Sequence, residues 1–143
     1  MKLRTEMPEF EGATAWLNRK VGKGDLRGPT LIHFWSISCS LCKELLPKLY
    51  ELANKYNINM VAVHMPRSEN DKNIVLVKEV ARKLRMKEAM FIDDHLNLTQ
   101  LYQTRFVPTY YLFDEHHLLR HVQIAGSMRF LESKIQRLLK EAL

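Results

Sequence analysis

Cysteine is scarce in this chain. There are two in 143 residues, Cys39 and Cys42. Two cysteines do not make a disulfide scaffold, and a closely spaced pair reads as redox or metal chemistry instead. Long apolar runs are missing as well. Nothing approaches the roughly 18 consecutive apolar residues of a membrane span, so no membrane partner is expected. The N-terminal stretch Met1 to Pro8 has early basic residues but no apolar segment behind them. No signal peptide is read there, and a cytoplasmic location is expected. Repeats and low-complexity segments are absent. So is a basic patch interleaved with aromatics, and no nucleic-acid partner is expected. The net charge of +6 comes from scattered residues. The densest stretch, Lys78 to Lys87, is interleaved with Glu79 and followed by Glu88, and reads as a solvated helix face. A preference for acidic partners stays open.

What is present is ordinary globular composition, 46% hydrophobic and 27% charged. The length suits one domain over residues 1–143, large enough for a proper core. Residues 1–30 read as irregular, punctuated by glycine and proline, with one short strand at Ala13 to Leu17. Regular patterning starts at Thr30. Leu31 to Ser36 and Asn59 to Met65 read as buried strands, with a helix over 40–56 between them. Pro47 is expected to kink that helix without ending it. A polar loop, Pro66 to Lys72, leads to an amphipathic helix over Asn73 to Met86. Then come a strand at Met90 to Asp93, a short helix at Asn97 to Gln103, and a hairpin of Thr109 to Phe113 with Leu118 to Ile124. Ser127 to Leu143 closes the chain as an amphipathic helix. This alternation predicts an α/β fold: a central mixed sheet with helices on both faces.

The cysteines follow the first strong strand, Leu31-Ile32-His33-Phe34-Trp35, and open the first long helix. At i and i+3 the two thiols share one face of the first helical turn. Backbone N–H groups there lack intrahelical partners and the helix dipole is positive. A thiolate at Cys39 is stabilised, its pKa falls, and its population as a nucleophile rises. Cys42, one turn deeper, is placed to attack a mixed disulfide formed on Cys39. Metal binding is the rival class. Cys-x2-Cys with His117-x3-His121 supplies four zinc-type ligands, but the pairs lie far apart in sequence, against the compact spacing of zinc sites. No metal site and no cofactor is expected.

The run Phe34-Trp35-Ser36-Ile37-Ser38-Cys39-Ser40-Leu41-Cys42 resembles the Phe-Trp-x-x-x-Cys-x-x-Cys motif of the thioredoxin-like superfamily. Pro47 falls at the family's helix-kinking proline, Val107-Pro108-Thr109 at its cis-proline loop, and Gly126-Ser127 at the glycine before the last helix. The segment from Pro66 to Phe91 resembles the helix-bearing insertion of the TlpA/ResA-like branch of thiol-disulfide oxidoreductases. The chain is most similar to small bacterial cytoplasmic members with a comparable Leu-Ile-His-Phe-Trp-Ser-Ile-Ser-Cys run.

The resemblance implies a thioredoxin fold with an N-terminal extension and a helix-bearing insertion at about residues 66–91. It implies a thiol-disulfide oxidoreductase that reduces protein disulfides, with disulfide-bearing proteins as substrates and an upstream electron donor such as a thioredoxin reductase. The alternative is a non-catalytic binding module of the same fold, holding metal through the same cysteines. Cys39 and Cys42 take the catalytic places. Val107, Pro108 and Gly126 take the substrate-binding ones, together with Trp35 as a shelf beside the dithiol or else a core aromatic at a strand end; Pro108 is in a cis peptide and Val107 pairs with a substrate strand. His33 stands where thioredoxin has a buried acidic residue, and is either a relay to Cys42 or a core histidine satisfied by a hydrogen bond. Glu69 is a candidate acid near the dithiol, or a solvated loop carboxylate. Ser40-Leu41 replaces the family's Gly-Pro, and Ser38 replaces an exposed tryptophan.

Overall fold

The computed structural model describes all residues, 1–143. Ten regular elements follow one another: β1 (Ala15–Leu17), β2 (Thr30–Trp35), α1 (Ser40–Tyr56), β3 (Asn59–His64), α2 (Ile74–Lys83), β4 (Ala89–Ile92), α3 (Asn97–Tyr102), β5 (Thr109–Phe113), β6 (Leu119–Ile124) and α4 (Met128–Glu141). One six-stranded sheet results, in the order β1-β4-β3-β2-β5-β6. β2, β3 and β4 are parallel, joined through α1 and α2. β1 runs antiparallel to β4, β5 antiparallel to β2, and β6 antiparallel to β5.

β2 is central and buried along its whole length. Its alternate residues serve two separate cores, because successive side chains of a strand point to opposite faces. Leu31 and Trp35 pack with α1, α2 and α4 through Leu46, Leu49, Val77, Leu131 and Ile135. Ile32 and Phe34 pack with α3 and the N-terminal segment through Leu98, Tyr102, Met7 and Leu26.

Several details differ from the sequence pattern. β1 is limited to the three residues that pair with Met90, Phe91 and Ile92. α2 stops at Lys83 because Leu84 and then Arg85, at φ 58, turn the chain toward β4. The polar loop carries a single 3-10 turn at Glu69–Lys72. The N-terminal residues are tied to β6: Arg4 N–H donates to the Leu119 carbonyl at 2.7 Å, Leu119 N–H to Thr5 at 2.9 Å, and Met7 N–H to His117 at 2.8 Å. α1 runs unbroken through Pro47.

Candidate active site

β2 ends at Trp35, and four residues carry the chain to α1. Cys39 is the N-cap of that helix, in an extended conformation. Its sulfur accepts a hydrogen bond from Cys42 N–H at 3.1 Å, a capping role that serines and aspartates fill elsewhere. Cys39 and Cys42 are joined in a disulfide, with Cα atoms 5.3 Å apart. Both are buried, at 4% and 6% exposure. Burial alone therefore does not separate them. The N-cap position does, since the helix dipole and the Cys42 N–H stabilise negative charge on Cys39 once the pair is reduced.

The opposite wall comes from the loop before β5. The Val107–Pro108 peptide is cis. The Val107 carbonyl oxygen lies 3.7 Å from the Cys39 sulfur. Ala125 N–H donates to the Pro108 carbonyl at 2.8 Å, which brings Gly126 beside the same loop. Gly126 holds φ +76, a left-handed conformation that favours glycine. Gln123 Nε2 donates to the Ala125 and Ser127 carbonyls, both at 2.9 Å, and so fixes the glycine from either side.

A third wall is built by the end of β3 and the segment after it. Asp71 is buried, and its Oδ2 accepts from Ser38 Oγ at 2.7 Å and from Arg67 N–H at 2.9 Å. The Arg67 guanidinium closes the ring, donating to the Ser38 carbonyl at 2.7 Å and to Ser38 Oγ at 3.2 Å. A positive charge is thereby held at the residue preceding Cys39. Ser36 Oγ donates to the Met65 carbonyl, and Met65 N–H to the Trp35 carbonyl at 2.8 Å. His64 Nε2 accepts from Ile37 N–H at 3.2 Å. To accept there the imidazole must be neutral. Burial holds its pKa at about 4, although the charges of Asp71 and Asp94 pull the other way.

Beneath the disulfide-bearing helix lies a buried polar group. His33 Nε2 meets Glu88 Oε2 at 2.7 Å, and Tyr50 Oη donates to both Glu88 oxygens at 2.8 and 3.0 Å. Burial pushes the Glu88 carboxyl up. The hydrogen bond and charge of His33, with the Tyr50 hydroxyl, outweigh it and hold the group below the usual carboxylate range.

Of the other expected site residues, Trp35 packs in the same core as Cys39 and Cys42, and Glu69 is solvent-exposed. Trp35 is 2% exposed, with its ring edge-on to His64 at 5.1 Å between centroids. Strand alternation turns it inward with Leu31, so it supports the loop from below and offers no surface to a partner. Glu69 projects into solvent, its side chain 90% exposed and paired with Lys72 at 3.1 Å. The 3-10 turn that carries it points Asp71 inward instead. His117 and His121 are not brought to the cysteines. His117 contacts the Leu26 carbonyl at 2.8 Å, and His121 contacts Gln123 at 3.0 Å.

A family model described as a thioredoxin-like domain matches residues 20–141. The chain belongs to the thioredoxin-like family. Among its relatives is a protein of Bacillus subtilis named thiol-disulfide oxidoreductase YkuV, 48% identical, with 99% of each chain covered. The thiol-disulfide oxidoreductase ResA of Halalkalibacterium halodurans is 23% identical over 94% of this chain and 72% of its own length. A solution structure of a thioredoxin-like protein in the oxidized form superposes with a TM-score of 0.88 at 46% identity, covering 99% of both chains.

Within this thioredoxin-like frame, sequence reasoning missed His64, Arg67, Asp71 and Glu88. His64 had a signal: it ends β3 opposite Trp35 in the parallel register. Asp71 and Arg67 had none, because a polar loop gives no period. Glu88 read as part of a charged surface stretch.

Proposed function

We propose that this chain reduces disulfides in protein substrates through the Cys39–Cys42 pair, and that it does so in the cytoplasm. The observation that carries this reading is the disulfide itself, set at a helix N-terminus and facing the Val107 carbonyl of a cis-proline loop. The likeness over full length to a named thiol-disulfide oxidoreductase supports it.

In the reduced protein the Cys39 thiolate attacks one sulfur of a substrate disulfide. A mixed disulfide forms and the other substrate sulfur leaves as a thiolate. Cys42 then loses its proton and attacks the Cys39 sulfur, which releases the second substrate thiolate. The substrate gains two electrons and the pair ends as the Cys39–Cys42 disulfide. A dithiol donor, such as a thioredoxin reductase, returns two electrons and two protons. Val107 and Gly126 offer backbone edges on which an extended substrate segment lies across the dithiol. Arg67, held at Ser38, adds positive charge that favours the Cys39 thiolate.

The test is a pair of variants with a disulfide-bearing protein as substrate. Cys39→Ser abolishes reduction. Cys42→Ser accumulates mixed disulfides visible on non-reducing gels. Undiminished turnover by Cys39→Ser overturns the reading. The reduction potential sets the direction: a value near about −270 mV or lower supports a cytoplasmic reductant, and one above about −200 mV argues for an oxidant in another compartment.

A further inference from the structure

The stretch from Lys78 to Glu88 carries five cations and two carboxylates. In sequence it reads as a solvated face with mixed charge. The fold takes both acids away. Glu79 pairs with Lys83 at 3.7 Å. Glu88 is buried on His33 and Tyr50. Lys78, Arg82, Arg85 and Lys87 are left with no acidic partner, and all four line one cavity of ≈ 780 Å³ between α2 and the end of β1. Its walls also include the apolar side chains of Leu17, Ala81 and Met86. No carboxylate lines it.

The cavity is separate from the dithiol. Cys39 follows the C-terminal end of β2, whereas Lys87 precedes the N-terminal end of β4, which runs in the same direction. In the sheet register Ala89 lies level with Ile32, so Lys87 sits toward the start of β2 while Cys39 lies beyond its end. A protein docked on this cavity would sit at the far end of the sheet from the reacting sulfurs. Cations clustered on one concave surface repel one another, and an anion among them relieves that repulsion. The volume falls in the range of small-molecule sites, which pair an apolar lining with a few placed polar groups.

We propose that this cavity binds an organic polyphosphate. Its phosphates lie among Lys78, Arg82, Arg85 and Lys87, and its organic part lies against Leu17, Ala81 and Met86. The site is independent of the redox chemistry.

The experiment is calorimetric titration of the full oxidised chain with ATP as the probe, at low salt, with amide chemical shifts recorded in parallel. Saturable binding is expected, with shifts centred on residues 17–19 and 78–88. The double variant Lys78→Gln/Arg82→Gln keeps helix-forming residues on α2 and is expected to weaken ATP by about tenfold or more. Its circular dichroism and disulfide-reducing activity are expected to match the parent. A second variant, Lys87→Gln, lies outside α2 and is expected to weaken ATP as well. Raising the salt is expected to weaken binding through screening. Three results overturn the proposal: no saturable binding of ATP, ATP affinity unchanged in both variants, or tripolyphosphate binding as tightly as ATP. Tighter binding of poly-glutamate than of ATP also overturns it, and assigns the cavity to an acidic protein segment.

Discussion

Glu88, at the residue before β4, reaches into the core to place Oε2 2.7 Å from Nε2 of His33 on β2. Both side chains are almost fully buried, at 6% and 3% exposure. Removing Glu88 leaves His33 unsatisfied in the interior, at a cost of about 3–5 kcal/mol. Glu88→Ala is therefore expected to lower the urea midpoint sharply. Replacing both groups, His33→Leu with Glu88→Leu, is expected to recover much of that loss, since neither member of the pair is left alone. Tyr50 tempers the recovery by losing its acceptor. Equal destabilisation by the single and the double variant would contradict the pairing.

The same carboxylate predicts an acid limit to stability. Its folded pKa lies below the ordinary 4.5. The unfolded chain then binds more protons than the folded one as pH falls through that range, so stability falls too. The contribution is fully present above pH 4.5 and is lost as pH drops through the folded value. Glu88→Gln is expected to flatten this part of the curve of stability against pH.

His64 adds a second, higher window with its own sign. Its pKa falls from 6.5 to about 4 because burial disfavours the cation. The unfolded chain takes up a proton between those values and the folded one does not. Stability from this group is complete above pH 6.5 and is lost as pH falls toward about 4. At 1.36 kcal/mol per pH unit the effect is about 3 kcal/mol. His64→Phe is expected to remove the pH dependence in that window, as read from urea midpoints between pH 7 and pH 4. It also leaves Ile37 N–H without its acceptor, at a constant cost of about 1–3 kcal/mol.

Asp71 holds Ser38 Oγ and Arg67 N–H with one oxygen. Asp71→Ala leaves both donors unmatched and is expected to cost about 1–3 kcal/mol. Arg67→Ala spares the buried carboxylate and removes the charge at Ser38. It is expected to raise the Cys39 thiol pKa, followed by thiolate absorbance against pH, while changing stability little. Arg67→Lys is expected to restore part of the shift. Identical titrations for the parent and Arg67→Ala would show that the guanidinium does not act on the thiol.

At Gly126 an added Cβ would sit 3.2 Å from Gln123 Nε2 on a backbone at φ +76. Left-handed backbone costs an ordinary L-residue about 1–2 kcal/mol. Gly126→Ala is expected to destabilise by that order and to raise KM for a protein disulfide more than it lowers kcat.

The element order could be read from the chain because each element carries its own period. Leu31 to Trp35 is a short apolar run and α4 has a continuous apolar face, so local pattern and final burial agree. The cysteines were legible for the same reason, being adjacent in sequence to the strand and helix that place them. Pro108 and Gly126 were found only through likeness to a family, since nothing local distinguishes them from other turn residues. Trp35 and Glu69 each allowed two readings, and packing makes the first a core aromatic and the second a solvated loop carboxylate. An aromatic at a strand end and an acid in a loop have no fixed direction until neighbouring elements pack.

By itself the sequence determined the dithiol, its place at a helix N-terminus and the alternation that makes the sheet. These follow from covalent spacing and hydrophobic period, which act over a few residues. Tertiary structure alone decided which polar groups surround the dithiol and which charges stay free. Glu88 left a charged stretch to pair with His33, 55 residues away. Asp71 turned inward to Ser38, 33 residues away. Partners so distant are chosen by chain crossovers and by the penalty for leaving a buried polar group unsatisfied, and no local pattern records either.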